Sequence, residues 1–294
     1  MEVNSIASSA RVASAGAYVE LAKPRITLMV LLTALVGYRS SGPSSNTALA
    51  LPLALVGTAL VAAGASAFNM LLERARDARM ERTRHRPLPA GRVRPLEALA
   101  FGSLLTVTGL GLLAWIGPWP AWVAFATWAS YVFLYTPLKP HTSLATLVGA
   151  VPGALPPVIG WAAAQGRIET GAWLLFAILF LWQIPHFLAI AWIYRDDYRR
   201  GGFPMLPVLD SEGSLTARQA FANSLALLPV SLTPTVAGMA GRVYCIGAVL
   251  LGAGYAFSAG RLAWRRTPQA ARELFLVSIA YLPLLAALLL FDVR

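Results

Sequence analysis

Seven stretches of this 294-residue chain contain no Asp, Glu, Lys or Arg: 40–72, 98–138, 140–166, 170–194, 219–241, 243–260 and 274–291. A bilayer core of ~30 Å needs about 20 helical residues, so most of these runs have the length of one crossing. The run 98–138 is long enough for two, and Gly117-Pro-Trp-Pro120 divides it with a helix breaker and an interfacial aromatic. Residues 26–38 are short, but Lys23 and Arg25 before them can snorkel and extend that crossing backwards. The pattern predicts nine spans, near 20–40, 48–72, 96–116, 120–138, 142–164, 171–194, 220–240, 243–262 and 273–291.

The expected fold is an all-α membrane protein, a single domain over residues 1–294. It is one bundle of nine transmembrane helices around a central cavity that opens to the cytoplasmic side. The N-terminus lies inside, and residues 1–17 form a flexible cytoplasmic tail. Prolines 152, 156, 157, 185, 229, 234 and 283 fall inside spans, where neighbouring helices or cavity water can satisfy the freed carbonyls. They read either as packing kinks or as bends that open the cavity at the fifth and sixth helices. The two long inner loops, 73–95 and 195–218, each begin with carboxylates directly after a span.

Composition supports this picture: 57% of residues are hydrophobic and 13% charged, too apolar for an ordinary soluble domain. A net charge of +11 would ordinarily raise nucleic acid as a partner. With the N-terminus inside, however, 20 of the 24 lysines and arginines fall on the inner side, so the charge is a topology signal and the partner is the lipid bilayer. The single cysteine, Cys245, excludes an intramolecular disulfide. No cleavable leader is evident, which makes a bacterial inner membrane the simplest location, ahead of a mitochondrial one.

The candidate chemistry lies at the inner ends of spans. Residues four apart on a helix advance ~6 Å and ~40°, so Asn69, Glu73 and Asp77 share one stripe. They offer oxygen ligands only, which favours a hard cation, and Mg2+ best of these, because it takes one or two carboxylates and completes its shell from phosphate and water. The bland alternative is that Glu73 and Asp77 pair with neighbouring arginines on a solvated helix end. A second acidic pair, Asp196 and Asp197, follows the sixth span within Tyr194-Arg-Asp-Asp-Tyr198, where an interfacial anchor is the alternative. Adjacent helical residues point ~100° apart, so both can face one cation only where the helix frays. Arg82 and Arg86, at i and i+4, and Lys139 can hold a diphosphate by forked and point-charge contacts. His186 stands in an otherwise uncharged span, as a proton relay or a ligand.

Taken together, these residues resemble the intramembrane prenyltransferases of the UbiA-type superfamily, and within it the branch that modifies haem. The resemblance runs from about Tyr18 to Asp292 and includes Glu20-Leu-Ala-Lys-Pro-Arg25, Asn69 to Asp77, Met80-Glu-Arg-Thr-Arg-His-Arg-Pro-Leu88 and Tyr135-Thr-Pro-Leu-Lys139. It continues through Gly149 to Pro157, Trp182-Gln-Ile-Pro-His-Phe187, Asp196-Asp-Tyr198 and Gly202-Phe-Pro-Met-Leu-Pro207. Two positions depart from the superfamily's pattern: Glu73 stands where Asp is common, and Arg200 and Gly201 stand four residues beyond the second acidic pair. The resemblance implies an enzyme that moves a farnesyl group from farnesyl diphosphate to a vinyl group of haem b with addition of water, giving haem O and diphosphate. It also implies Mg2+ on Asn69, Glu73, Asp77, Asp196 and Asp197, diphosphate on Arg25, Arg82, Arg86, Tyr135, Lys139 and Arg195, and His186 in haem contact or water steering. A downstream haem O oxidase is a possible protein partner. Rival readings are a sibling enzyme acting on an aromatic acid or quinone precursor, a secondary transporter, and a structural assembly subunit. Transport predicts acids near mid-membrane, whereas these lie at span ends.

Overall fold

The uncharged runs fold as helices, and the charged breaks between them fall at helix ends. The computed structural model describes residues 14–42 and 48–293. In chain order the helices are α1 (Ala15–Leu21), α2 (Pro24–Ser40), α3 (Ala50–Asp77), α4 (Pro95–Ile116) and α5 (Pro118–Ala129). A π-helical segment, Ser130–Tyr135, leads into the short α6 (Thr136–Leu138). Then come α7 (Ala145–Ala154), α8 (Pro156–Gln165), α9 (Thr170–Ile193), α10 (Arg195–Gly201) and α11 (Leu206–Leu209). The chain finishes with α12 (Ser214–Val236), α13 (Arg242–Arg265) and α14 (Pro268–Phe291).

Among the described residues, six helical rods are long and apolar enough to cross a membrane: Ala50–Asp77, Pro95–Ile116, Ala145–Gln165, Thr170–Ile193, Arg242–Arg265 and Pro268–Phe291. The other three expected crossings fall on helices that are shorter, interrupted or more polar. These are the 17-residue α2, the stretch from α5 through the π segment, and α12, whose first turns carry Arg218 and Gln219. Residues 1–13 of the expected tail lie outside the described residues, but Ala15–Ala17 already belong to α1, and Ala17 is buried. That short helix is held down by an apolar cluster of Ala17, Leu21, Met70, Leu88 and Val93.

Proline and glycine set two features that position the site. Pro156 and Pro157 break α7 from α8, with Leu155 as the hinge. Beyond the break, α8 lies backbone to backbone on α2: a Cβ on Gly37 would overlap the Pro157 carbonyl, and one on Gly160 would overlap the Ala34 carbonyl. The second feature is the π segment. Pro137 has no N–H for the turn before it, and the Tyr131 carbonyl instead accepts both the amide and the hydroxyl of Thr136, the latter at 2.8 Å. The wider turn brings Tyr135, Thr136 and Lys139 to bear on α3.

Candidate active site

The acidic stripe forms as the spacing requires. Asn69, Glu73 and Asp77 lie along the last turns of α3 with only 3%, 4% and 1% of their surface exposed. A carboxylate buried this deeply needs a cation or a metal beside it. Cations arrive from three segments, two of them distant in sequence. Lys139 Nζ donates to both Glu73 carboxylate oxygens at 3.0 Å. Arg86, from the loop after α3, donates to Asp77 Oδ2 at 2.8 Å. Lys23 Nζ, from the junction of α1 and α2, donates to Asn69 Oδ1 at 3.0 Å, and Asn69 Nδ2 donates to Thr136 Oγ1 at 3.3 Å.

These three pairings are not equivalent. Lys139 and Arg86 meet carboxylates, whereas Lys23 meets a neutral amide. Burial alone would lower the Lys139 ammonium, but the Glu73 charge outweighs it and holds the group above the usual lysine range. Lys23 has a left-handed backbone (φ 48°, ψ 63°) immediately before Pro24, a conformation disfavoured for a residue with a Cβ and further restricted before proline. The strained junction delivers this amine to the end of the stripe, where burial and the neighbouring Arg86 charge lower it to about 7.

The second acidic pair is built differently. Tyr194 ends α9 and α10 restarts at Arg195, so Asp196 and Asp197 sit in a new first turn and point apart. The Asp196 side chain is 67% exposed and pairs with Arg199 at 2.8 Å. Asp197 is buried; it accepts from the Glu81 amide at 3.0 Å and the Arg82 amide at 3.2 Å, and pairs with Arg200. Burial would raise the Asp197 carboxyl, but the Arg200 hydrogen bond and the two amides outweigh it and hold the group below the usual carboxylate range. Arg82 lies over the Tyr194 ring at 4.8 Å and donates to the Tyr198 hydroxyl at 3.2 Å, while Arg76 donates to the Gly201 and Gly202 carbonyls. The two acidic regions therefore meet through amides and arginines. Among the described residues no three His, Cys, Asp or Glu side chains come close enough to hold a metal by themselves.

The donor chemistry nevertheless fits a hard cation. A carboxylate has about four lone-pair positions, so Glu73 and Asp77 keep capacity beyond their bonds to Lys139 and Arg86. Arg82 is exposed and Arg86 half-buried beside the stripe. Tyr135, half-buried, packs at a tilt against Tyr131 at 5.2 Å and lies under Lys139. Arg25 is exposed and Arg195 half-buried, and neither enters an ion pair among the described residues. His186 lies seven residues before the end of α9, about 10 Å along the axis from Ile193. Its Nδ1 is 2.7 Å from Ser278 Oγ, and its ring stacks on Trp182 at 5.1 Å.

Three residues of this site escaped the sequence analysis as candidates: Lys23, Thr136 and Phe203, whose ring lies 4.6 Å from Lys139 Nζ. Lys23 and Thr136 stand beside prolines in motifs already singled out. By sequence alone Lys23 is only a charge at a span end, and Thr136 carries no signal.

A family model described as the UbiA prenyltransferase family matches residues 30–285. A protoheme IX farnesyltransferase from Solibacter usitatus is 46% identical over 286 residues, spanning 94% of this chain and 98% of the relative. A solved structure of digeranylgeranylglyceryl phosphate synthase is similar with a TM-score of 0.79 at 16% identity, covering 94% of this chain and 97% of that one. A UbiA homologue from Archaeoglobus fulgidus, solved with GPP and Mg2+ bound, is similar with a TM-score of 0.67 at 16% identity, over 93% and 99% of the two chains. At such identity the two structures speak for the fold alone.

Proposed function

The chain belongs to the UbiA prenyltransferase family, and from that premise we propose that it farnesylates protohaem IX. Farnesyl diphosphate and haem b enter, a vinyl group of the haem takes the farnesyl chain, water adds, and haem O and diphosphate leave. The protein is a multi-pass membrane transferase. As one domain it crosses a bacterial inner membrane nine times with its N-terminus inside, α2, the α5-to-α6 stretch and α12 being the three further crossings. The observation that carries the chemistry is the buried stripe of Asn69, Glu73 and Asp77, matched to cations from three separate segments. The named relative, at 46% identity, supports haem as the acceptor.

Mg2+ is the hard cation for the stripe; held by Asn69, Glu73 and Asp77, it would supply Lewis-acid uptake of the charge that builds on the leaving diphosphate. The remaining work belongs to the chain. Lys139 and Arg86 exchange one charge-assisted bond for another when they turn from carboxylate to phosphate oxygen. Lys23, facing only an amide, gains most from an incoming anion. Arg82 adds a forked contact from the loop, and Arg25 and Arg195 stand at the rim. Tyr131, Tyr135, Tyr198 and Phe203 wall the allylic end and restrict water while the C–O bond ionises. The haem vinyl group attacks as an electron-rich alkene, so no activated Ser or Cys is required, and the resulting cation takes a water and releases a proton.

The test supplies purified protein and Mg2+ with farnesyl diphosphate and either haem b or 4-hydroxybenzoate, and weighs the products. A mass gain of farnesyl plus water on haem alone is the expected result. Prenylated 4-hydroxybenzoate with untouched haem would move the chain to a sibling branch.

A further inference from the structure

Ser278, buried on α14, makes two short contacts with one hydroxyl hydrogen. Its Oγ lies 2.6 Å from the Phe275 carbonyl oxygen and 2.7 Å from His186 Nδ1. A carbonyl only accepts, so an oxygen–oxygen contact this short needs the hydroxyl hydrogen between the two atoms. Ser278 therefore accepts from His186, and Nδ1 carries the ring proton. In the neutral imidazole this leaves Nε2 with its lone pair.

The ring is held in that orientation from several sides. Trp182 stacks on one side at 5.1 Å, and Phe275 approaches at 5.2 Å. Trp182 Nε1 donates to the Ser278 carbonyl at 2.9 Å, and the Trp182 carbonyl accepts from the Tyr255 hydroxyl at 2.9 Å. Ser278 thus takes both α9 side chains, one on its carbonyl and one on its hydroxyl. Nε2, on the opposite ring edge, has no hydrogen-bond partner among the described residues, and it is not among the sealed, unpartnered polar atoms. The side chain is half-buried, so that edge can be reached.

We propose that Ser278 is a positioning residue that fixes His186 as the Nδ1-protonated tautomer, so that Nε2 ligates the iron of the bound haem; the iron contact rests on haem as the acceptor. A hydroxyl or carbonyl behind the far nitrogen is the usual support of a metal-bound histidine.

Two readouts test this in the full-length protein in nanodiscs. Nitrogen-resolved NMR of 15N-histidine protein carrying His85→Asn and His141→Asn reads the His186 tautomer without any ligand. The expected result is protonated Nδ1 and bare Nε2, lost in Ser278→Ala and kept in Ser278→Thr. A protonated Nε2 in the parent would overturn the inference whatever the acceptor. The second readout is the Soret and EPR spectrum of added ferric haem. His186→Ala should change the axial-ligand signature, and Ser278→Ala should weaken haem binding by roughly 10–100-fold with farnesyl diphosphate binding unmoved. Haem that binds wild type and His186→Ala with the same spectrum would overturn the iron contact. Wild type that binds no haem at all would overturn the acceptor reading, and the iron contact with it.

Discussion

The two acidic regions of this bundle both follow the end of a long apolar helix, yet they differ in their physics. The α3 stripe is buried, and its partners lie 46 and 66 residues away for Asn69 and Glu73. The α10 pair has ion-pair partners three residues away, and Asp196 is largely in solvent. An exposed i,i+3 pair contributes ~0.3–0.5 kcal/mol at most and orders nothing beyond its own turn. A buried carboxylate with a distant cation fixes helices against each other and keeps charge ready where water is scarce. Under the proposed function the chemistry therefore belongs to the first region. The second is a latch, in which Asp197 holds the loop carrying Arg82 and Arg86 over the stripe.

The sharpest break of this comparison is Asp77→Ala. We expect turnover to fall by about three orders of magnitude while the protein still inserts, measured as haem O formed in Mg2+ buffer. Glu73→Gln should fall almost as far, and because it strands the Lys139 ammonium it should also lower thermal stability. Lys23→Met should raise the KM for farnesyl diphosphate by about tenfold, the loss of one charge-assisted bond of ~1.5 kcal/mol, with a smaller change in kcat. Asp197→Asn should cost a few-fold in rate and expose the 78–94 loop to trypsin. Acid alone should not open the latch near pH 5. A carboxylate held below its unfolded value of ~3.9 contributes above that value and is lost only as pH falls through the lowered folded one. Asp196→Asn should change turnover less than twofold.

How much of this could be read from the sequence differs between the same two regions. Helical spacing alone places Asn69, Glu73 and Asp77 on one stripe, and the uncharged runs place the helices that carry it. Both are local properties of the chain. The partners of the stripe are not local. Nothing in the spacing joins Lys139 to Glu73 or Lys23 to Asn69; the first depends on a π turn forced by Pro137, the second on a left-handed Lys23 before Pro24. Tyr194-Arg-Asp-Asp-Tyr198 showed two acids side by side, but the restart of the helix at Arg195 decides that only Asp197 turns inward. Ser278 gave no signal either, because its role exists only against His186 on another helix.

The most direct measurement of the account is diphosphate release in a single turnover, compared between Asp77→Ala and Asp196→Asn with farnesyl diphosphate, haem b and Mg2+ present. The account expects release slowed by about three orders of magnitude in the first and near wild-type release in the second. Equal loss in both, with both proteins folded, would contradict the division of labour between the buried stripe and the exposed pair.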